Sequence, residues 1–106
     1  MSETLRRILL LVEKGEARIS EHGYDEMAED DILARDVVAG VRDGKVVEEY
    51  PNYPKGPCVL VLQKDREDRP IHVVWGIPRG CVTPAVVVTA YRPDTGQWTD
   101  DFMRRT

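Results

Sequence analysis

The chain has 106 residues, 42% of them hydrophobic and 32% charged, enough apolar material for one buried core and too much for a disordered segment. Its 15 Lys and Arg against 19 Asp and Glu leave a formal net charge of −4, which argues against the broad basic footprint of a nucleic-acid binder. The longest apolar run, Ile8 to Val12, falls far short of the roughly 20 residues that span a bilayer, which excludes membrane insertion.

Leu5, Ile8, Leu9 and Val12 recur at helical spacing behind Ser2, whose hydroxyl can cap the helix, and Gly15 provides a stop. Ser20 offers a second cap. Glu21 then opens a short helix near the positive end of its dipole, with Tyr24, Met27 and Ala28 as the apolar stripe. Gly23 inside that helix costs about 1 kcal/mol against Ala. Leu33, Val37, Val38 and Val41 define a third helix from about Leu33 to Arg42, ended by Gly44.

Beyond Gly44 the period changes. Val46 to Tyr50, Cys58 to Lys64, Ile71 to Ile77 and Ala85 to Tyr91 are β-rich, with "DREDR" as a hairpin connection and "PNYPKGP" and "PRGCVTP" as longer loops. The pattern predicts one α+β domain, with N-terminal helices packed on a twisted antiparallel sheet of about four strands. The last strand, "AVVVTA", is apolar on both faces and suits an interior position, so a short strand at Ala17 to Ser20 is expected to pair with it; a homodimer covering that edge stays open. Pro93 ends the strand, and Trp98 and Phe102 are expected to pack a short C-terminal helix on the core.

Cys58 and Cys81 lack CxxC spacing and no signal peptide is seen, so reduced thiols and a cytoplasmic location are expected. His22, Cys58, His72 and Cys81 are zinc-type ligands without the short-range spacing of a zinc site, and no metal is predicted. The glycines are scattered and Ser20 lacks a nucleophile-elbow context, so no nucleotide or other cofactor is implied.

His22 stands near the second position of its helix, where it serves either as a general base or as a helix-start residue bonded to a carboxylate such as Asp25. Strand alternation puts Ile71, Val73 and Trp75 on one face and His72 with Val74 on the other. His72 either lines a groove there or bonds across to a neighbouring strand. Tyr91 and Arg92 lie at the sheet rim, where loops carry function. Convergence of His22, His72 and Tyr91 with Arg92 would give an acid–base pair and a phosphate clamp, suited to RNA cleavage assisted by the ribose hydroxyl. The two tyrosines and two prolines of "EEYPNYPKG" offer either an aromatic ledge for a partner or a stiff loop over the core edge.

The ordered set "ISEH...M", "GKVVEEYP", "CVLVLQKDREDRPIHVV" and "VVVTAYRPDTGQWTDDF" resembles the bacterial family known as domain of unknown function 4258, from Ile19 to about Arg104. That family is similar in layout to the RelE and BrnT toxins, small α+β proteins of toxin–antitoxin modules that cut messenger RNA. The resemblance implies a cytoplasmic bacterial protein of ribonuclease ancestry, with an antitoxin-like protein as partner and RNA or the ribosome as target. It further implies phosphate-holding roles for the C-terminal Arg104 and Arg105, which otherwise read as a solvated tail. Many family members have arginines around the methionine, whereas here Met27 stands among Glu26, Glu29 and Asp30. Carboxylates there repel phosphates and disfavour RNA at that surface. The second reading is accordingly a non-catalytic interaction module of a toxin–antitoxin-like or regulatory system.

Overall fold

A computed structural model describes residues 2–106. The elements run α1 (Glu3–Glu13), β1 (Ala17–Ile19), α2 (Glu21–Glu29), α3 (Ala34–Gly40), a 3-10 turn (Val41–Asp43), β2 (Lys45–Tyr50), β3 (Cys58–Lys64), β4 (Pro70–Gly76) and β5 (Ala85–Tyr91). Each of the first two helices starts at a serine cap. Ser2 Oγ accepts from the Leu5 amide at 3.0 Å, and Ser20 Oγ accepts from the Gly23 amide at 2.9 Å. The third helix is shorter than its apolar pattern suggests, because Val41 to Asp43 tighten into the 3-10 turn before Gly44.

The sheet has five strands in the order β1-β5-β4-β3-β2, which corrects the expected antiparallel meander of about four. Strands β2 to β5 do form that antiparallel meander, but β1 joins β5 in parallel, with Ala17 opposite Ala85 and Ile19 opposite Val87. The sheet is therefore mixed. The apolar double face of β5 made an interior position necessary, and the short Ala17–Ile19 segment fills the edge beside it.

All three helices cover one face. Ile8 and Leu5 of α1, Met27 of α2 and Val37 of α3 pack against Val59, Val61, Ile71, Val73, Trp75 and Val87. Two glycines set how closely the helices approach. A Cβ on Gly23 would stand 2.9 Å from the Val87 carbonyl oxygen, and one on Gly40 would stand 2.8 Å from that of Lys64. The helix-propensity cost of Gly23 is thus offset by tight seating of α2 on β5. One polar bridge crosses this core: the buried Gln63 donates to the Val37 carbonyl at 2.8 Å and accepts from the Trp75 indole at 2.8 Å.

The expected C-terminal helix does not form. Residues 94–106 wind through turns instead, with Trp98 and Arg105 joined as an isolated antiparallel bridge. Local side-chain bonds divert the chain: Asp94 accepts from the Gly96 amide at 2.8 Å, Asp101 accepts from the Met103 amide at 3.1 Å, and Phe102 takes φ 60. Among the described residues no helix is long and apolar enough to cross a membrane.

Candidate functional site

The face of the sheet away from the helices carries His72, in register opposite Tyr91 on β5. Alternation placed His72 there correctly, but the C-terminal segment lies over it. His72 has no exposed surface. Its Nε2 is 2.8 Å from the Phe102 carbonyl oxygen and its Nδ1 is 3.2 Å from the Tyr91 hydroxyl. A carbonyl can only accept, so the proton of the neutral ring sits on Nε2, and Tyr91 donates to Nδ1. Burial pushes the His72 pKa below the usual histidine value, partly opposed by the Phe102 carbonyl, and burial likewise raises Tyr91.

Trp98 is the lid on this pair. Its ring meets His72 edge-on at 4.4 Å between centroids, and the Arg105 guanidinium lies over the indole at 4.8 Å. Arg105 pairs with Glu48 on β2, which also accepts from the Tyr50 hydroxyl at 2.8 Å. The strand histidine is thus capped by an indole, a guanidinium and a carboxylate in succession. Arg104 is exposed and makes backbone bonds to Thr99, its amide donating to the Thr99 hydroxyl at 3.3 Å.

Arg92 serves a different cluster. Its guanidinium is 2.9 Å from Asp65 and its backbone amide donates to Asp30 at 2.8 Å. Asp65 is buried at the β3–β4 turn, where it also accepts from the amides of Glu67 and Arg69 at 2.8 and 2.9 Å. Burial works to raise the Asp65 pKa, but those amides and Arg92 together hold it below the ordinary carboxylate value. This arrangement locks the hairpin to the end of β5.

His22 is solvent-facing on α2, with Nε2 3.7 Å from Glu26. Since α2 belongs to the helical layer and His72 and Tyr91 project from the opposite face, the sheet stands between the two histidines. The structure therefore brings together His72, Tyr91 and, through Trp98, Arg105; it keeps His22, Arg92 and Arg104 apart from them. Among the described residues no group of three His, Cys, Asp or Glu side chains is placed to hold a metal ion.

Sequence reasoning missed the lid role of Trp98, the Asp65–Arg92 pair and an apolar groove beside the lidded cluster. That groove has a volume of about 210 Å³ and is lined by Tyr53, Cys58, Gly76, Ile77, Val86 and Val88 among others. The signal available for it was the two-sided apolar pattern of β5, which leaves Val86 and Val88 half-buried on the far face.

No curated protein and no solved structure matches this chain. A family model does match, over residues 19–92, a span that runs from β1 to the end of β5 and stops short of the segment that covers His72. With that match covering most of its length, the chain belongs to the family described as Domain of unknown function (DUF4258).

Proposed function

We propose that this domain is a non-catalytic protein-interaction module of a toxin–antitoxin-like or regulatory system, with an antitoxin-like protein as the class of partner. The observation that carries the reading is the condition of His72: both ring nitrogens are bonded within the protein and no surface is exposed. A general base must reach the proton it removes, and His72 reaches only Tyr91 and Phe102. His22, the other imidazole, stands in the opposite layer, beside Glu26 and close in sequence to Glu29 and Asp30, where phosphate is repelled. Incubation of the purified protein with messenger RNA, with and without ribosomes, should leave the RNA intact. Cleavage by the wild type that disappears in His72→Gln would overturn the reading.

A second reading, a RelE-like domain acting on RNA, is favoured by one observation: the Trp98 ring and the Phe102 carbonyl that close over His72 lie outside the family-matched span. With that cover displaced, His72 and Tyr91 would supply the acid–base pair, and Arg104 and Arg105, carried on the displaced segment and released from Thr99 and Glu48, would be free to meet phosphates. Trp98→Ala loosens the cover without touching the dyad. Gain of RNA cleavage by this variant, abolished again by adding His72→Gln, would establish the second reading and retire the first.

A further inference from the structure

The groove on the far face of the sheet is apolar in its floor and cationic at its rim. Val86 and Val88 of β5 and Cys58 of β3 form the floor around Gly76 of β4, with Tyr53 at one wall. Gly76 keeps the floor open, since a Cβ there would stand 3.0 Å from Cys58 Sγ and 3.4 Å from a Val88 methyl. The two loops at the mouth are zipped together: the Arg79 amide donates to Lys55 O at 2.8 Å and the Ile77 amide to Pro57 O at 3.1 Å. Gly56 passes so close to Ile77, at φ +130, that no side chain fits there. The site is preformed. Its volume of about 210 Å³ suits one large apolar side chain and lies below the about 300 Å³ at which drug-sized pockets begin.

Three cations surround it. Arg18 of β1 is in register with Val86 and projects from the same face, Lys55 lines the mouth, and Arg79 extends beside Pro54. Among the described residues none of the three makes an ion pair with a carboxylate. Glu16 is the acid placed at that edge, accepting from the Thr83 hydroxyl at 3.5 Å. On a chain of net charge −4, a positive rim around a half-buried apolar floor is a local reversal of the overall field. Tyr53, half exposed, and Val82, 78% exposed, add apolar surface on the same two loops.

We infer that this groove binds an acidic peptide segment of a protein partner, seating one large apolar side chain between Val86, Val88 and Tyr53 while Arg18, Lys55 and Arg79 pair with flanking carboxylates. The inference rests on the interaction-module reading and supplies its surface. Single-stranded RNA fits less well, because it is held by stacking on successive aromatic rings and the floor is aliphatic with one tyrosine. A second copy is also disfavoured as occupant. Its acidic segment does expose Tyr24 and Leu33, but docking of that surface into this strand-face groove is a heterologous, head-to-tail contact, which builds rings or filaments rather than the far commoner two-fold dimer.

The test is a titration of the isotope-labelled full chain with the peptide acetyl-Glu-Glu-Phe-Glu-Glu-amide, followed by backbone amide shifts. Cys58, Gly76, Val86 and Val88 should shift, and affinity should fall about ten-fold or more, about 1.4 kcal/mol, when Lys replaces Glu or Ala replaces Phe in the peptide. The Arg18→Glu variant, changed at an exposed side chain, should weaken binding similarly while keeping the wild-type spectrum; Val86→Glu should abolish it. No shift at those amides up to millimolar peptide would overturn the inference. So would equal binding of the lysine peptide, stronger shifts with oligouridylate, or concentration-dependent self-association that the peptide does not displace. Absence of peptide binding without RNA cleavage removes this surface and leaves the interaction reading in place, whereas RNA cleavage by the wild type removes that reading itself.

Discussion

Tyr91 donates its hydroxyl proton to Nδ1 of His72 at 3.2 Å, across directly paired strands and under the Trp98 ring. The same His72 ring donates from Nε2 to a carbonyl of the covering segment. One imidazole therefore ties the sheet to the chain that closes over it, and it does so in its neutral form.

This fixes a pH dependence. The folded pKa of His72 lies below the ordinary 6.5, so the unfolded chain binds the proton more readily. Stability is then full above pH 6.5 and declines as pH falls from that value toward the folded pKa. Thermal unfolding followed at intervals between pH 7.5 and pH 5 should show that decline, and His72→Gln, which keeps a donor for Phe102 but does not titrate, should flatten it. An equal slope in both proteins would refute the assignment.

Asp65 titrates in a separate window. Its folded pKa lies below the ordinary 3.8, so its contribution is present above that value and is lost as pH falls through the folded pKa. Replacing the partner, Arg92→Met, leaves a buried carboxylate with its backbone donors and the more exposed Arg69. Loss of about 3 kcal/mol in urea unfolding is expected, the low end for breaking a buried pair because Arg69 remains. A change below about 0.5 kcal/mol, the range of an ordinary surface substitution, would show that the pair is not what locks the hairpin.

Gln63→Leu retains side-chain bulk while leaving the Val37 carbonyl and the Trp75 indole N–H without their partner. Each orphaned buried group costs about 1–3 kcal/mol, so a total of about 3 kcal/mol is expected by chemical denaturation. A neutral substitution would indicate that water reaches that site.

Gly23→Ala sets helix propensity against packing. The exposed-helix expectation is a gain of about 1 kcal/mol, whereas the clash of the new Cβ with Val87 O, at 2.9 Å, predicts a net loss of about 1–2 kcal/mol. The sign of the change in unfolding midpoint decides between them.

Periodicity and caps made the layers of the fold legible. Ser2 and Ser20 mark two helix starts, and the alternation in β4 assigns Trp75 and His72 to opposite faces as the structure has them. The two-sided apolar pattern of β5 likewise required a neighbour that β1 supplies. What lay beyond reach was decided by contacts distant in sequence or by local side-chain choices. Asp30 and Arg92 meet across 62 positions, and no period encodes such a pair. The turn sequence after Pro93 has the aromatic spacing of a helix, yet Asp94 and Asp101 bond to their own backbone and fold the segment into a cover. For that reason His72, left by its pattern either to line a groove or to bond across to a neighbouring strand, is bonded to Tyr91 under a lid, and the groove lies beside it.

The placement of β1 also has a bearing on synthesis. Ser20, at the end of that short strand, bonds to Val88 across 68 positions, so the N-terminal border of the sheet has nothing to dock on until the final strand leaves the ribosome. A nascent chain halted before Ala85 would hold Met27 and the rest of α2 above a missing floor, and would offer that apolar surface to chaperones for as long as translation paused.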